Sequence, residues 1–318
     1  MAMKKSRILI TGGAGFLGLN LALAAAADYD VCLLDNLRRK PIGDLNRAKQ
    51  SGIELVQGDV LGRSPLTELA RDADIVVHMA AIAGVLNYYK APYDVLRVNI
   101  GGAMNLLELL TEKTRRLIFI SSSEVYGTNA GNAHEDQPLT VDDMKEPRWT
   151  YAVSKIAGEK LCLTAGAQKG LEVVCLRPFN IYGPGQSGNG AVRDMTLAAL
   201  AGEDIVVYGD GEQVRAWCFV DDFIAATMAA IRQEGVGDEI INIGDATGAV
   251  TARRLAELIV VATDSESRIT HKAHFGTDIL LRTPDIAKAK KLLGFSAKID
   301  LEAGLKITAD WYREHGRT

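Results

Sequence analysis

Tyr151 and Lys155 stand four residues apart in Tyr151-Ala152-Val153-Ser154-Lys155. On a helix that spacing places both side chains on one face. A free phenol titrates at about pH 10, and a nearby ammonium favours its anion, drawing the group toward working pH. A tyrosine so placed can take the proton of a secondary alcohol while hydride leaves the same carbon. The spacing alone also describes a solvated helix face, so the neighbours decide. One neighbour is Ile120-Ser121-Ser122-Ser123-Glu124-Val125-Tyr126-Gly127, which closes an apolar run with hydroxyls and a carboxylate. It falls at the carboxyl end of an expected strand, where open α/β sheets bind their ligands.

A departing hydride needs an acceptor, and the start of the chain offers a place for one. Thr11-Gly12-Gly13-Ala14-Gly15-Phe16-Leu17-Gly18 joins the first expected strand to the first expected helix. Gly12, Gly15 and Gly18 permit a tight turn and close backbone approach to a pyrophosphate. The helix N-terminus beyond them supplies N–H donors and a favourable dipole. A glycine triplet gains its meaning from this strand-to-helix setting. Asp35 ends the next expected strand, 20 residues after Gly15. A carboxylate there accepts hydrogen bonds from both ribose hydroxyls and repels a 2′-phosphate, which favours NAD over NADP. Arg38 and Arg39 come shortly after and soften that preference. Asp59, in Gly58-Asp59-Val60, is placed either to contact an adenine or to close a strand-end turn.

These residues need a scaffold, and the apolar pattern provides it. Strands are expected at 7–11, 31–35, 53–57, 75–79, 117–121 and 173–177, with helices between them, for example at 16–27 and 101–112. Continuous apolar strands belong to a parallel sheet covered on both faces. The alternation implies an α/β, Rossmann-type doubly wound sheet. After residue 178, Gly- and Pro-rich loops (180–190, 208–213) separate shorter elements, including strands at 205–208 and 240–243 and a helix at 222–232. We therefore expect a dinucleotide-binding domain over 1–178. A smaller α/β region over 179–318, partly interleaved with the first, would mainly bind substrate.

Composition narrows the function classes. A chain of 318 residues holds one large domain or two smaller ones. Lys plus Arg number 36 against 40 Asp plus Glu, a net charge of −4. That balance argues against nucleic acid or an anionic membrane held by bulk electrostatics, and allows a small anionic ligand. Cys32, Cys162, Cys175 and Cys218 form no CxxC or Cys/His cluster, so buried reduced thiols are expected rather than a zinc site or disulfides. His271 and His274 lie three apart with no carboxylate arrangement that suggests a metal site and read as solvated loop residues, so no metal is expected. The first residues show no signal-peptide core. No apolar run approaches the roughly 20 residues of a membrane helix. A soluble cytoplasmic protein is the expectation.

Taken together, several stretches resemble the extended short-chain dehydrogenase/reductase superfamily, specifically its nucleotide-sugar epimerases, dehydratases and decarboxylases. They are GGAGFLG (12–18), HMAA (78–81), Asn99, SSSEVYG (121–127), YAVSK (151–155), RPFNIYGPG (177–185), YGDGEQVRAW (208–217) and TPDIAKAKKLLGF (283–295). The resemblance spans nearly the whole chain. It implies a tightly held NAD, bound by Gly12, Gly15, Phe16, Leu17, Asp35, Asn36, Asp59, Val60, Ala80 and Asn99 together with Tyr151 and Lys155. It implies a catalytic set of Ser122, Glu124, Tyr151 and Lys155, with Tyr151 as base and Lys155 as its partner on the nicotinamide ribose. Ser122 would bridge Tyr151 and the sugar C4 hydroxyl. Ser122, Ser123, Arg148, Asn180, Arg215 and Arg282 would contact a nucleotide-sugar, a UDP-sugar foremost. Asn180 would lie near the phosphates, and Arg215 and Arg282 on the diphosphate, whose oxygens suit the guanidinium fork. Arg215 alternatively pairs with Asp221 or Asp222, which also read as a helix N-terminus. Many such epimerases carry an arginine before a Gly-Asp pair near residue 278. Here the segment is His274-Phe275-Gly276-Thr277-Asp278, leaving Lys272 or Arg282 to supply that charge. The helices after Asn99 and around Tyr151 resemble those that form a homodimer in this superfamily.

Oxidation at C4 gives a 4-keto sugar, and neighbouring groups decide its fate. A 4-epimerase needs only rotation of the ketone and return of the hydride. Glu124 is an additional group, in a position that resembles the glutamate of dehydratases and UDP-glucuronate decarboxylases, where it can act at C5. The dTDP-glucose dehydratases have an aspartate where this chain has Ser123. GDP-mannose dehydratases and glucuronate decarboxylases share the Ser-Glu pair. Asn87-Tyr88-Tyr89 and Pro147-Arg148-Trp149 resemble the decarboxylases, and Arg148 then either meets the sugar carboxylate or caps its loop. Gly183-Pro184-Gly185-Gln186 is closer to epimerases. The expectation leans to decarboxylation of a UDP-uronic acid, with 4-epimerisation as its alternative and 4,6-dehydration behind both. A non-catalytic dinucleotide-binding protein is disfavoured by the presence of Ser122, Tyr151 and Lys155. A hydroxysteroid-type dehydrogenase is disfavoured by the RPFNIYGPG loop.

Overall fold

The computed structural model describes residues 5–39, 45–274 and 276–316. Seven apolar stretches pair into one sheet: β1 (Arg7–Thr11), β2 (Asp30–Asp35), β3 (Glu54–Gln57), β4 (Ile75–His78), β5 (Arg116–Ile120), β6 (Glu172–Pro178) and β7 (Glu239–Ile243). Their spatial order is β7-β6-β5-β4-β1-β2-β3, and every neighbouring pair is parallel. Ile8, Ile10, Val77 and Ile118 pack into one hydrophobic cluster, and Leu9, Val76, Leu117 and Phe119 into another. Both faces are covered, which is why these strands read as unbroken apolar runs. The order turns back between β1 and β4, the switch point at which such sheets open a crevice at their carboxyl ends. Thr11 and His78 tie the two strands together there, Oγ1 to Nδ1 at 2.7 Å.

Expected boundaries shift where a charged residue is buried with partners. β5 begins at Arg116, one residue before the apolar run. Its guanidinium donates to the carbonyls of Ala230, Ile231 and Gln233 and pairs with Glu172. The expected helix at 101–112 starts earlier, as α2 (Pro92–Leu109), with Pro92 in the first turn where its missing N–H costs nothing. Between β1 and β2 lies α1 (Phe16–Ala25), two residues shorter than expected. The long helix α3 (Thr150–Lys169) ends on Gly170 in the left-handed conformation. It packs against α2 and against β5, where Gly158 makes room for Phe119. A Cβ at Gly158 would lie 2.3 Å from Phe119 Cζ. Gly158→Ala is expected to destabilise by about 1–3 kcal/mol, read as a lower denaturant midpoint at unchanged slope.

A second, four-stranded sheet has the order Ala249–Thr251, Val214–Ala216, Leu281–Pro284, Ala130–Ala133. One of its strands comes from before residue 178, while β7 returns from the later chain to the large sheet. The helix preceding β7, α4 (Val220–Arg232), packs on α1 and on β5 and β6. Asp222 lies in its first turn but accepts the N–H groups of Lys298 and Ile299 at 3.1 Å, so it fastens the C-terminal chain rather than capping its own helix. All four cysteines are buried and free. Among the described residues no helix is long and apolar enough to cross a membrane.

Candidate active site

A cavity of about 630 Å³ opens at the switch point, at the carboxyl ends of β1, β2, β4 and β5. The glycine turn forms one wall. Gly12 has φ +70°, and a Cβ there would lie 2.8 Å from the backbone N of Ala80, so the turns after β1 and β4 meet backbone to backbone. Only glycine suits both conditions. Gly15 is the N-cap of α1 and makes no side-chain capping bond, so the first N–H groups of the helix face the cavity unspent. Phe16 and Leu17 line it too. Asp35 stands at the rim, its Oδ1 accepting Leu37 N at 2.8 Å and its Oδ2 accepting Ala14 N at 3.1 Å. Lone pairs remain on both oxygens for further donors. Asn36 donates to Asp59 at 3.0 Å, and both border the cavity with Val60 and Ala80. Among the described residues Arg38, Arg39, Arg97 and Lys155 border this space with two carboxylates, Asp35 and Asp59, and Arg97 is also paired with Asp94 at 3.1 Å. A cation excess, a glycine turn and an open helix N-terminus together fit a dinucleotide with its diphosphate. Asn99 is buried outside the lining. Its amide accepts from Ile82 N at 2.8 Å and donates to Ser154 Oγ at 3.0 Å, so it would act by positioning the loop after β4 against α3.

Ser122, Tyr151 and Lys155 line the same cavity. Ser122 caps the short turn Ser123–Tyr126, its Oγ accepting Glu124 N at 3.1 Å, and it hydrogen-bonds Tyr151. Tyr151 stacks on Tyr88 with ring centroids 5.1 Å apart. Lys155 lies one helical turn along, its Nζ 5.6 Å from the Tyr151 ring centroid, and donates to the Ile120 carbonyl at 2.7 Å. The expected depression of the Tyr151 pKa by Lys155 is corrected by this arrangement. Burial and the Glu124 charge push the phenol well above its ordinary value, and Arg39 and the Ser122 hydrogen bond work against them. Burial lowers Lys155 to about 8.

A buried network holds the serine turn in place. Arg177 donates to both oxygens of Glu159, at 2.8 and 2.7 Å, and to Tyr126 Oη at 2.8 Å. Tyr126 donates onward to Asn242 at 2.7 Å, and Ser121 donates to Glu159. Ser123 is buried within this turn and does not reach the cavity lining.

Beside Ser122 and Tyr151 the structure builds a cluster whose pairing differs from expectation. Glu124, with its side chain 12% exposed, is shared by Arg148 at 2.8 Å and Arg282 at 2.6 Å. Burial would raise its pKa, but Arg282 and Arg148 outweigh that and hold it at about 2. So weak a base, with both oxygens engaged, is poorly suited to proton abstraction at C5. Arg148 is no loop cap: its Nη2 pairs with Glu124, and the guanidinium lies 5.8 Å from the ring centroids of Tyr88 and Trp149. Arg282, expected on a diphosphate, is likewise on Glu124. Arg148 Nη1 and Arg282 Nε are buried without a hydrogen-bond acceptor among the described residues. Arg215 pairs with Asp278 at 3.0 Å, not with Asp221 or Asp222, and burial with the charge of Arg282 lowers it to about 10. His274 Nε2 also lies 3.4 Å from Asp278, whereas Lys272 is exposed on its strand. Phe275 falls outside the described residues. Asn180 has φ +40° and donates its amide to Ala216 O at 2.8 Å, bracing the second sheet. Sequence reasoning missed Asp278 as the partner of Arg215, and Gln186, Ser187 and Asn189 as cavity residues. The glycine-rich loop 180–190 was the available signal for the latter.

Residues 8–244 match the NAD dependent epimerase/dehydratase family. A UDP-N-acetyl-alpha-D-glucosaminuronate decarboxylase of Bacillus cytotoxicus is 35% identical, covering 98% of each chain. A UDP-glucuronate 4-epimerase of Thermodesulfobacterium geofontis is 29% identical over 96% of each chain. The crystal structure of a UDP-glucuronic acid 4-epimerase from Bacillus cereus, in complex with UDP-glucuronic acid and NAD, superposes with a TM-score of 0.88. That pair is 27% identical, with 97% of this chain and 99% of that chain covered.

Proposed function

The chain belongs to the NAD-dependent epimerase/dehydratase family, and from that premise we propose that it decarboxylates a UDP-uronic acid through transient oxidation at C4. The cluster of Arg148, Glu124 and Arg282 carries this reading. Two buried guanidiniums share one carboxylate beside Ser122 and Tyr151, and the surplus positive charge suits an anionic sugar. Tyr151 takes the O4 proton through its contact with Ser122 and later returns it. Bound NAD supplies the acceptor for the C4 hydride and, when oxidised, a positive ring that favours the Tyr151 phenolate. Arg148 turns its unpaired N–H toward the sugar carboxylate. In the 4-keto acid the C5–C6 bond breaks, CO2 leaves, and the electron pair passes to the ketone as an enolate. A solvent proton then closes C5. Glu124 serves to hold the two arginines, and no base at C5 is required.

The supporting assignments accord with the same reading. Residues 1–178 hold the dinucleotide, and 179–318 complete the nucleotide-sugar site. The protein works in the cytoplasm as a homodimer through α2 and α3, the former exposing Tyr93 by 75% and Met104 by 46%. A 4-epimerase is the second reading, supported by the likeness to the Bacillus cereus UDP-glucuronic acid 4-epimerase at a TM-score of 0.88. Mass spectrometry after incubation with NAD in D2O, with UDP-glucuronate and with its 2-acetamido analogue, separates them. The expected result is loss of CO2 with one deuterium retained at C5. An isomer of unchanged mass would establish an isomerase instead, and loss of water a dehydratase.

A further inference from the structure

We propose that Arg39 is the strap that retains the dinucleotide, closing the cavity mouth by bridging three separate loops. The proposal rests on NAD occupying this cavity, not on which sugar reaction takes place. Arg39 lies four residues beyond the end of β2. Its side chain crosses the opening, and Nη2 donates to the carbonyl of Ala83, in the loop after β4. On the other side it passes Gly188, in the loop after β6. That glycine has φ +80°, and a Cβ built on it would sit 3.5 Å from Arg39 Nη1 and 3.6 Å from Cζ. The guanidinium thus lies beside one rim while hydrogen-bonded to the other.

All three loops border the cavity, through Arg39, through Ala83 and Gly84, and through Gln186, Ser187 and Asn189. A guanidinium has five N–H donors in a planar fork, and only one engages Ala83 here. In a cavity with a cation excess, a phosphate oxygen is the acceptor that best uses the others. The charge of Arg39 also reaches Tyr151, which puts the strap within electrostatic range of the catalytic end of the same space. A dinucleotide seated on the glycine turn would then leave only after the Ala83 bond and its phosphate contact have both broken. Retention of this kind suits a reaction that returns its hydride within each cycle.

The test is the rate at which isotopically labelled NAD exchanges into the purified protein, for wild type, Arg39→Met and Arg39→Lys. Methionine keeps the apolar stem and removes the charge and donors. Exchange about tenfold or more faster in Arg39→Met is expected, as loss of a charge-assisted hydrogen bond implies. Arg39→Lys should fall between the two, since an ammonium keeps the charge without the fork. Unchanged exchange in Arg39→Met overturns the proposal, also if thermal stability drops, because the bridge to Ala83 would then be structural alone. Tighter binding of NADP than NAD to wild type, lost in Arg39→Met, overturns it as well by making Arg39 a reader of the 2′-phosphate. The exchange assay involves no UDP-uronate. Failure to release CO2 therefore bears on the proposed reaction and leaves the strap untouched.

Discussion

Tyr151→Phe is expected to lower turnover of a UDP-uronic acid by about 10²–10⁴-fold while the protein keeps its NAD and its fold. The substitution deletes one hydroxyl and leaves the ring, which stacks on Tyr88 and packs with Val95 in a small buried cluster. Its cost to stability should therefore be small. Product formation, bound NAD released by denaturation and the denaturation midpoint measure the three quantities separately. The pH profile supplies an independent check. Tyr151 acts as base only when deprotonated, and burial with the Glu124 charge raises its pKa. Activity should accordingly climb with pH across the acidic and neutral range rather than reach an early plateau. Substantial turnover by Tyr151→Phe would mean that another group takes the O4 proton. Retained biological function without any turnover would favour a dinucleotide-binding role.

The parts of this molecule legible in the sequence are those set by local patterning. The central sheet strands read as short apolar runs because both sheet faces are covered, whereas the edge strand β3 is largely exposed, and the glycine turn reads from spacing because Gly12 must meet Ala80 backbone to backbone. Ser122, Tyr151 and Lys155 were legible because motif and position agreed. What escaped was pairing between distant charges. Nothing local indicates that Arg282 crosses 158 positions to reach Glu124, or that Arg215 selects Asp278 over the nearer Asp221 and Asp222. Such choices are made by the second sheet, which brings Ala130–Ala133, Val214–Ala216 and Leu281–Pro284 side by side. The sign of the Tyr151 shift was lost for the same reason. Helical spacing places Lys155 near the ring, but its ammonium is drawn to the Ile120 carbonyl, and the dominant charge on Tyr151 comes from Glu124.

The same cluster yields the sharpest contrast in stability. Glu124→Gln leaves two buried guanidiniums facing each other without a counter-charge, a change expected to cost about 3–5 kcal/mol. Arg148→Met removes one guanidinium but leaves Arg282 paired with Glu124 at 2.6 Å, a neutral pair, and methionine can lie between Tyr88 and Trp149 in its place. Its cost should be well below that of Glu124→Gln, although both substitutions break the same ion pair. The order inverts for substrate: Arg148→Met should raise KM for UDP-glucuronate far more than KM for a neutral UDP-hexose. The pH dependence has a fixed sign. The Glu124 pKa is held at about 2, below the ordinary 4.5, so the contribution of its charge is complete above about pH 4.5 and is lost as pH falls toward 2. The stability gap between wild type and Glu124→Gln should therefore narrow in acid and stay constant from about pH 5 upward, measured by denaturant titration at a series of pH values. Equal destabilisation by Glu124→Gln and Arg148→Met would mean that the surplus positive charge is relieved elsewhere. The cluster would then no longer argue for an anionic sugar, and the 4-epimerase reading would gain what it loses.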